Sequence, residues 1–173
     1  MKDLLTALIF LLALAGIEGV LWLRNPLQIP NGFLPARAFG LQVFEELDGS
    51  MEPAVPTGHH VLVSAWPYWL KEPQVGDVIA FVYPRDPGLA DLKRVVACAG
   101  STVEIRQGAV YVDGKLRQSG TGPASVSRFN SLSPPRVIPA GSYFVLGDNS
   151  TFSEDSRSYG VIPRDRIIGK QWL

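Results

Sequence analysis

Beyond residue 24 the chain is never left uninterrupted long enough to build a long helix. The sequence carries 17 glycines and 14 prolines, and past that point no window longer than eight residues keeps a clean helical period. Punctuation of that density favours short strands joined by turns. Runs rich in β-branched and aromatic residues lie at 41–46, 61–65, 78–83, 92–97, 102–106, 109–112, 142–146 and 166–170. Gln107-Gly108 and Asp113-Gly114 are turn dipeptides, so 102–116 reads as a hairpin followed by a second tight turn. There is no internal repeat. The expected fold class is all-β, a curled antiparallel sheet or open barrel.

Residues 4–23 break this pattern. Only Thr6, Gly16, Glu18 and Gly19 in that run are not strongly apolar. As a helix it would be roughly 30 Å long, about one hydrocarbon thickness. Glu18 is costly inside a membrane but lies toward the end of the run, and Trp22-Leu23-Arg24 reads as an interfacial anchor. Residues 1–24 are therefore expected to form a transmembrane signal anchor. A cleaved secretory signal, with Ala13-Leu14-Ala15 as its processing site, and a buried core helix are the alternatives. Both membrane readings place the remainder across a membrane. Residues 25–40 hold three prolines and two glycines and read as a linker. Residues 41–173 form the β-domain.

Composition removes several functions. Sixteen basic side chains balance 16 acidic ones, which leaves no basic excess for nucleic acid. Cys98 is alone, so no internal disulfide and no Cys₂His₂ or Cys₄ zinc site can form, and no metal or cofactor is expected. His59 and His60 are adjacent, so a mechanism needing two separated histidines is excluded. They read as strand-end residues, one turned inward and one outward. Residues 117–137 contain five serines, three prolines and two glycines, with Arg117, Arg128 and Arg136 and no acid. That is an insertion loop or a flap facing substrate or lipid. Trp66, Tyr68 and Trp69 crowd one loop, either capping the core or sitting at lipid headgroup level.

Neither a G-x-S-x-G elbow, nor H-E-x-x-H, nor S-x-x-K is present. Asp48-Gly49-Ser50-Met51-Glu52-Pro53 is a candidate nucleophile turn, since Gly49 permits an unusual backbone angle before the serine and Pro53 stiffens the chain just after it. A serine needs a base. Of five lysines, Lys93 stands apart: it lies inside an apolar strand, where period two puts it on one face with Val95, Ala97 and Ala99. An ammonium against apolar neighbours loses hydration, which favours the neutral amine, and that amine can accept a serine proton. The alternative is a lysine that snorkels off a strand edge.

The order of segments adds to this. Ser50-Met51-Glu52-Pro53 is followed by Val75-Gly76-Asp77-Val78-Ile79-Ala80-Phe81. Leu92-Lys93-Arg94-Val95-Val96 comes next, and then Gly147-Asp148-Asn149-Ser150-Thr151-Phe152-Ser153-Glu154-Asp155-Ser156-Arg157. The series resembles the type I signal peptidases, membrane-anchored serine proteases of the S26 type that remove signal peptides from exported proteins. It covers roughly 45–170 and extends to the N-terminal anchor. The resemblance implies a Ser–Lys dyad with Ser50 as nucleophile and Lys93 as general base, a variant of the triad logic. It implies that Ser153 orients the lysine, that Asp155 and Arg157 form a bracing ion pair, and that the Ser50 backbone N–H binds the oxyanion. Asp48 stands where the family often has a hydroxyl, which leaves the second oxyanion donor unassigned. His59 replaces an acid, Ser150 an arginine, and Ala99-Gly100-Ser101 a Pro-Gly-Asp, which suggests a specialised member.

The implied substrates are signal peptides of exported preproteins with small residues at the cleavage site. They would bind as extended strands beside the residues before Ser50 and beside 78–83, with Met51, Ile79 and Phe81 as pocket candidates. The implied location is a cell membrane, single-pass, with the catalytic domain on the outer face. A relative that processes one or a few secreted partners, as in conjugation or pilus-type systems, is the enzymatic alternative. An anchored β-domain used for binding is the other. Self-cleaving repressors share such a dyad, but no helix-turn-helix segment is present.

Overall fold

The structure is a computed structural model and describes residues 39–106, 109–117 and 135–172, together with Gly16. The rest of the apolar run at 4–23, most of the linker, the Gln107-Gly108 turn and residues 118–134 lie outside the described residues. Eleven strands are described: β1 (Leu41–Glu45), β2 (His60–Ser64), β3 (Val78–Val82), β4 (Ala90–Ala97), β5 (Thr102–Arg106), β6 (Ala109–Val112), β7 (Lys115–Arg117), β8 (Arg136–Val137), β9 (Ser142–Leu146), β10 (Ile162–Pro163) and β11 (Ile167–Gln171). Two one-turn helices join them, α1 (Pro67–Leu70) and α2 (Ser156–Tyr159), with a 3₁₀ turn at Arg164–Arg166. The strands form a curled seven-stranded sheet in the order β1-β2-β11-β3-β4-β9-β10 and a four-stranded sheet β7-β6-β5-β8. Every pairing is antiparallel.

Burial explains the pattern of the central strand. Val78, Ala80 and Val82 join one core with Met51, Val61, Val63 and Leu92, while Ile79 and Phe81 join a second with Val95, Val145 and Ile167. Both faces of β3 are covered, so its sequence is a continuous apolar run without alternation. A third core, with Val103, Ile105, Val110, Val112 and Phe144, packs the smaller sheet. Asp113 and Gly114 take φ values of 51° and 74°, the left-handed pair that closes a two-residue hairpin from β6 into β7.

Two strand readings are corrected. β4 starts at Ala90, which brings Asp91 into the strand. A register shift between Val95 and Ala97 against β9 ends the period-two face of Lys93: Ala97 packs in the third core with Val96, and Ala99 lies beyond the strand. The short strands β7, β8 and β10 carry too little apolar pattern to be read from sequence. Pro163 is tolerated because β10 is an outer strand, where a missing N–H leaves no ladder bond unmade. His59 and His60 are both exposed, because His60 opens β2 opposite the last residue of β1.

A second register shift, between Ile167 and Gly169, interrupts the pairing of β11 with β3, next to the residues where β11 pairs with β2. A Cβ at Gly169 would lie 2.6 Å from the Ser64 carbonyl oxygen. Gly169→Ala is therefore expected to destabilise the domain by about 1–3 kcal/mol. Thermal unfolding should show a midpoint several degrees lower, at roughly 2–4 °C per kcal/mol. An unchanged midpoint would mean that β11 can move away from β2 at no cost.

Candidate active site

Ser50 sits in the turn that leaves β1. Gly49 before it has φ 69°, and a Cβ there would meet the Thr57 hydroxyl at 2.8 Å, so the turn needs glycine. The Gly49 carbonyl accepts the Glu52 N–H at 3.2 Å and the Met51 carbonyl accepts the Val55 N–H at 2.9 Å, which closes the loop locally. The rest of its anchoring comes from far along the chain. Asn149 donates its backbone N–H to the Ser50 carbonyl at 2.8 Å and its side-chain amide to the Gly49 carbonyl at 3.2 Å. Asp148, the preceding residue, accepts Arg94 Nε at 2.8 Å, and Arg94 Nη1 reaches the Gly76 carbonyl at 2.9 Å. The Gly-Asp-Asn segment thus ties the serine turn to β4.

Lys93 stands on β4 opposite Ile79 of β3. Its side chain has 0% exposure, and Ser50 is likewise at 0%. Lys93 Nζ lies 2.8 Å from Ser50 Oγ and 3.0 Å from the Leu92 carbonyl, and it also bonds Asp91 Oδ1. A buried hydroxyl within hydrogen-bond distance of a buried amine can give up its proton to that amine and attack an electrophilic carbon.

Three carboxyl groups crowd this pair. Ser50 Oγ donates to Glu46 Oε1 at 3.2 Å, and the Ser50 backbone N–H donates to Asp48 Oδ1 at 2.8 Å. Burial, reinforced by its hydrogen bond with Asp48, pushes the Glu46 carboxyl up to about 7 against the pull of Lys93. Burial opposes ionisation of Asp48 too, but the bonds from Glu46 and from the Ser50 N–H outweigh it and hold Asp48 below the usual carboxylate value. Glu46 therefore keeps a proton that Asp48 accepts. Burial also raises Asp91, with Lys93 acting in the opposite direction.

Ser153 is buried, but its hydroxyl donates to Asp155 Oδ2 at 2.9 Å and makes no bond to Lys93. It stays close to the nucleophile: a Cβ on Gly147 would fall 2.2 Å from Ser153 Oγ and 2.7 Å from the Ser50 carbonyl oxygen. Asp155, at 0% exposure, gathers the loop by accepting Gly147 N–H at 3.1 Å, the Ser153 hydroxyl, and Arg157 through Nε and Nη2 at 2.7 Å each. Ser156 donates nothing to the lysine either; its hydroxyl oxygen accepts the Val145 N–H at 2.9 Å.

Met51, Ile79 and Phe81 are all at 0% exposure and belong to the cores. β3 also has no free edge, because β11 and β4 flank it across Ile79–Phe81. Two other strand edges border the site. Among the described residues β1 is the outer strand of its sheet, and at Ala90–Leu92 β4 pairs only with β3, since β9 begins to pair at Arg94. A cleft of about 120 Å³ lies between them, lined by residues 44–48 and 90–92. Glu46 and Asp91 were missed as site residues, and Asp148 and Asn149 were given no role within their motif. Asp91 lies just outside the expected run 92–97, and its two-residue spacing to Lys93 within one strand follows only from β4 starting at Ala90.

Among the described residues no group of three or more His, Cys, Asp and Glu side chains could hold a metal ion. The family model for signal peptidase, peptidase S26, matches residues 31–173. A probable signal peptidase I-1 from Synechocystis is 37% identical over 133 residues, which is 69% of this chain and 63% of that protein. Signal peptidase I of Pseudomonas aeruginosa is 31% identical over 205 residues, covering 85% of this chain and 72% of its own. Signal peptidase IB of Staphylococcus aureus is 32% identical over 136 residues, 70% of either chain. A crystal structure of a signal peptidase I from Enterococcus faecalis is 31% identical, covers 58% of this chain and 97% of its own, and has a TM-score of 0.43.

Glu46 makes the stability of the domain depend on pH. A carboxyl raised from 4.5 to about 7 on folding binds its proton more tightly in the folded chain, so stability falls as pH rises across that window and stays reduced above it. Glu46→Gln keeps a donor for Asp48 and has no proton to lose. The variant is expected to exceed wild type by on the order of 3 kcal/mol at pH 8 and to match it near pH 4. Urea unfolding at both pH values measures this, and a difference independent of pH would contradict it.

Proposed function

The chain belongs to the signal peptidase family, peptidase S26, a family of serine endopeptidases, and we propose that it is a membrane-anchored member that cleaves signal peptides from exported preproteins with a Ser50–Lys93 dyad. The observation that carries this reading is the 2.8 Å contact between two side chains that have 0% exposure. Ser50 Oγ attacks the scissile carbonyl carbon while its proton passes to neutral Lys93 Nζ. The Ser50 backbone N–H, now held by Asp48, turns to the oxyanion as the Asp48 carboxylate swings away. The tetrahedral intermediate collapses, Lys93 returns the proton to the leaving amine, and a water attacks the acyl-serine in a second round.

The substrate strand lies in the cleft between residues 44–48 and 90–92, beside the nucleophile turn and the strand that carries Lys93. Arg157 and Asp155 brace the loop beneath. Ser153 acts on the lysine only indirectly, through Asp155 and Gly147.

Membrane attachment is part of the proposal. No helix among the described residues is long and apolar enough to cross a membrane, and the run at 4–23 lies outside them. The support comes from the sequence of that run and from the end of the domain where the chain arrives. There Trp66 Nε1 donates to the Phe39 carbonyl at 3.1 Å and packs edge-on against Trp69. Phe39, Trp66, Trp69 and Leu70 remain exposed, while Tyr68 turns inward and donates to Asp77 at 2.9 Å. Exposed tryptophans beside a membrane anchor suit the headgroup layer. The catalytic domain then lies on the outer face. Glu45, Glu46, Asp48 and Asp91 make the cleft acidic, which favours, as a second reading, a member that matures one or a few secreted partners.

In detergent, the full chain is expected to cleave a synthetic Ala-x-Ala signal-peptide substrate, with kcat/KM rising with pH as the amine loses its proton. Ser50→Ala, Lys93→Ala and Lys93→Arg should each lose at least about 10³-fold, since guanidinium stays protonated and cannot act as a base. Ser153→Ala should lose far less. An active Lys93→Arg enzyme would rule out the dyad.

A further inference from the structure

We infer that Asp91 is the positioning residue that aims the lysine at the serine, a role that rests on the dyad proposed above. Hydrogen-bond capacity at Lys93 Nζ is the reason. The three neighbours of that nitrogen are Ser50 Oγ, the Leu92 carbonyl and Asp91 Oδ1. A neutral amine has two N–H bonds and one lone pair. A carbonyl oxygen and a carboxylate only accept, so each takes one N–H. The lone pair is left for Ser50 Oγ, the one neighbour with a proton to give once its hydroxyl turns from Glu46 Oε1 onto the amine. Remove Asp91 and an N–H is free to rotate onto Ser50, which turns the lone pair away from the proton it must collect.

Asp91 is itself fixed. Its Oδ1 also accepts the Leu92 backbone N–H at 2.8 Å, and its side chain is 18% exposed against 0% for Lys93. Lys93 makes no bond to Ser153 or Ser156, whose hydroxyls bond Asp155 and the Val145 N–H. No other side-chain acceptor besides Ser50 and Asp91 bonds the amine among the described residues.

A carboxylate in this place has a second effect that a hydroxyl would not have. A negative charge in contact with an amine favours the protonated form of that amine. The other ionisable groups that face the pair are Glu46 and Asp48 from the segment after β1, Tyr83 beyond β3 and Tyr159 of α2. Arg85, near Tyr83, is already engaged by Glu154. Both tyrosines are pushed up by burial, while Glu46, with its carboxyl raised to about 7, joins Asp91 and Asp48 as an anion above that pH. Of these only Asp91 touches it.

The test uses full-length protein in detergent with three variants. Asp91→Asn retains a side-chain oxygen to accept the N–H but removes the charge. Its kcat is expected within about tenfold of wild type, with the half-plateau point of the kcat/KM–pH curve about one pH unit lower or more. Asp91→Ala loses the acceptor, and its kcat is expected to fall about 10- to 100-fold. Asp91→Glu keeps the charge and misplaces it, so its pH curve stays near that of wild type with a reduced plateau. In parallel, the ¹³Cε resonance of Lys93 in lysine-labelled protein should titrate over a lower pH range in Asp91→Asn than in wild type. That readout needs no substrate, so it decides the role of Asp91 even if wild type fails to cleave the peptide, a failure that would overturn the functional reading instead. Superimposed pH curves for wild type and Asp91→Asn by NMR, or an Asp91→Ala enzyme as fast as wild type, would overturn the assignment.

Discussion

A lysine amine cut off from solvent must find every one of its partners inside the protein, and the site is arranged around that requirement. Leaving a buried charge or donor unpaired would cost several kcal/mol. Lys93 meets the demand with one backbone carbonyl, one carboxylate and one hydroxyl. The first two belong to its own strand, so the β3–β4 ladder fixes them as soon as it forms. The third has to be delivered from another part of the chain, and most of the architecture outside β4 serves that delivery.

Ser50 is delivered by a loop more than ninety residues downstream. Asn149 holds both Gly49 and Ser50 through its amide groups, and Asp148 is locked to Arg94, the neighbour of the lysine. Gly147 lets this loop pass between Ser153 and the Ser50 carbonyl, where any side chain would collide. Asp155 and Arg157, both almost wholly buried, close the loop from beneath. The string from Gly147 to Arg157 is thus one mechanical unit. Its polar side chains bond one another, the serine turn, Arg94 and the neighbouring strand β9, and none of them bonds the amine.

Much of this was legible in sequence, for identifiable reasons. Eight strands announced themselves by apolar runs between turn residues. Gly49 ahead of Ser50 and a lysine inside an apolar strand marked the two reacting groups, and the order of four segments linked them to a family. The unreadable remainder depended on register and on distant contacts. The shift between Val95 and Ala97 moves Ala97 to another core, which a strict period of two cannot anticipate. Met51 follows Ser50, and Ile79 and Phe81 lie in the strand expected beside substrate, which made them pocket candidates, yet they are sealed within the cores. The strand edges that frame the cleft at 44–48 and 90–92 depend on which strand stops pairing where, and pairing partners are not written in local composition. Asp91 was legible only in retrospect, once β4 proved to start at Ala90.

The acid-rich surroundings of the dyad give the site its own character. Glu46 and Asp48 share a proton on one side of Ser50, and Asp48 occupies the backbone N–H that an oxyanion would need. The resting site is therefore already complementary to negative charge at that N–H, with a carboxylate standing where a tetrahedral oxygen would go. All of this presumes that Ser50 forms the bond to substrate. The most direct measurement is acid quench of the full-length enzyme during cleavage of a signal-peptide substrate, followed by mass spectrometry of the peptide that contains Ser50. The account predicts a transient mass increase equal to the N-terminal acyl fragment, located on Ser50 and absent from Ser50→Ala. Turnover without any such adduct, or an adduct on another side chain, would contradict it.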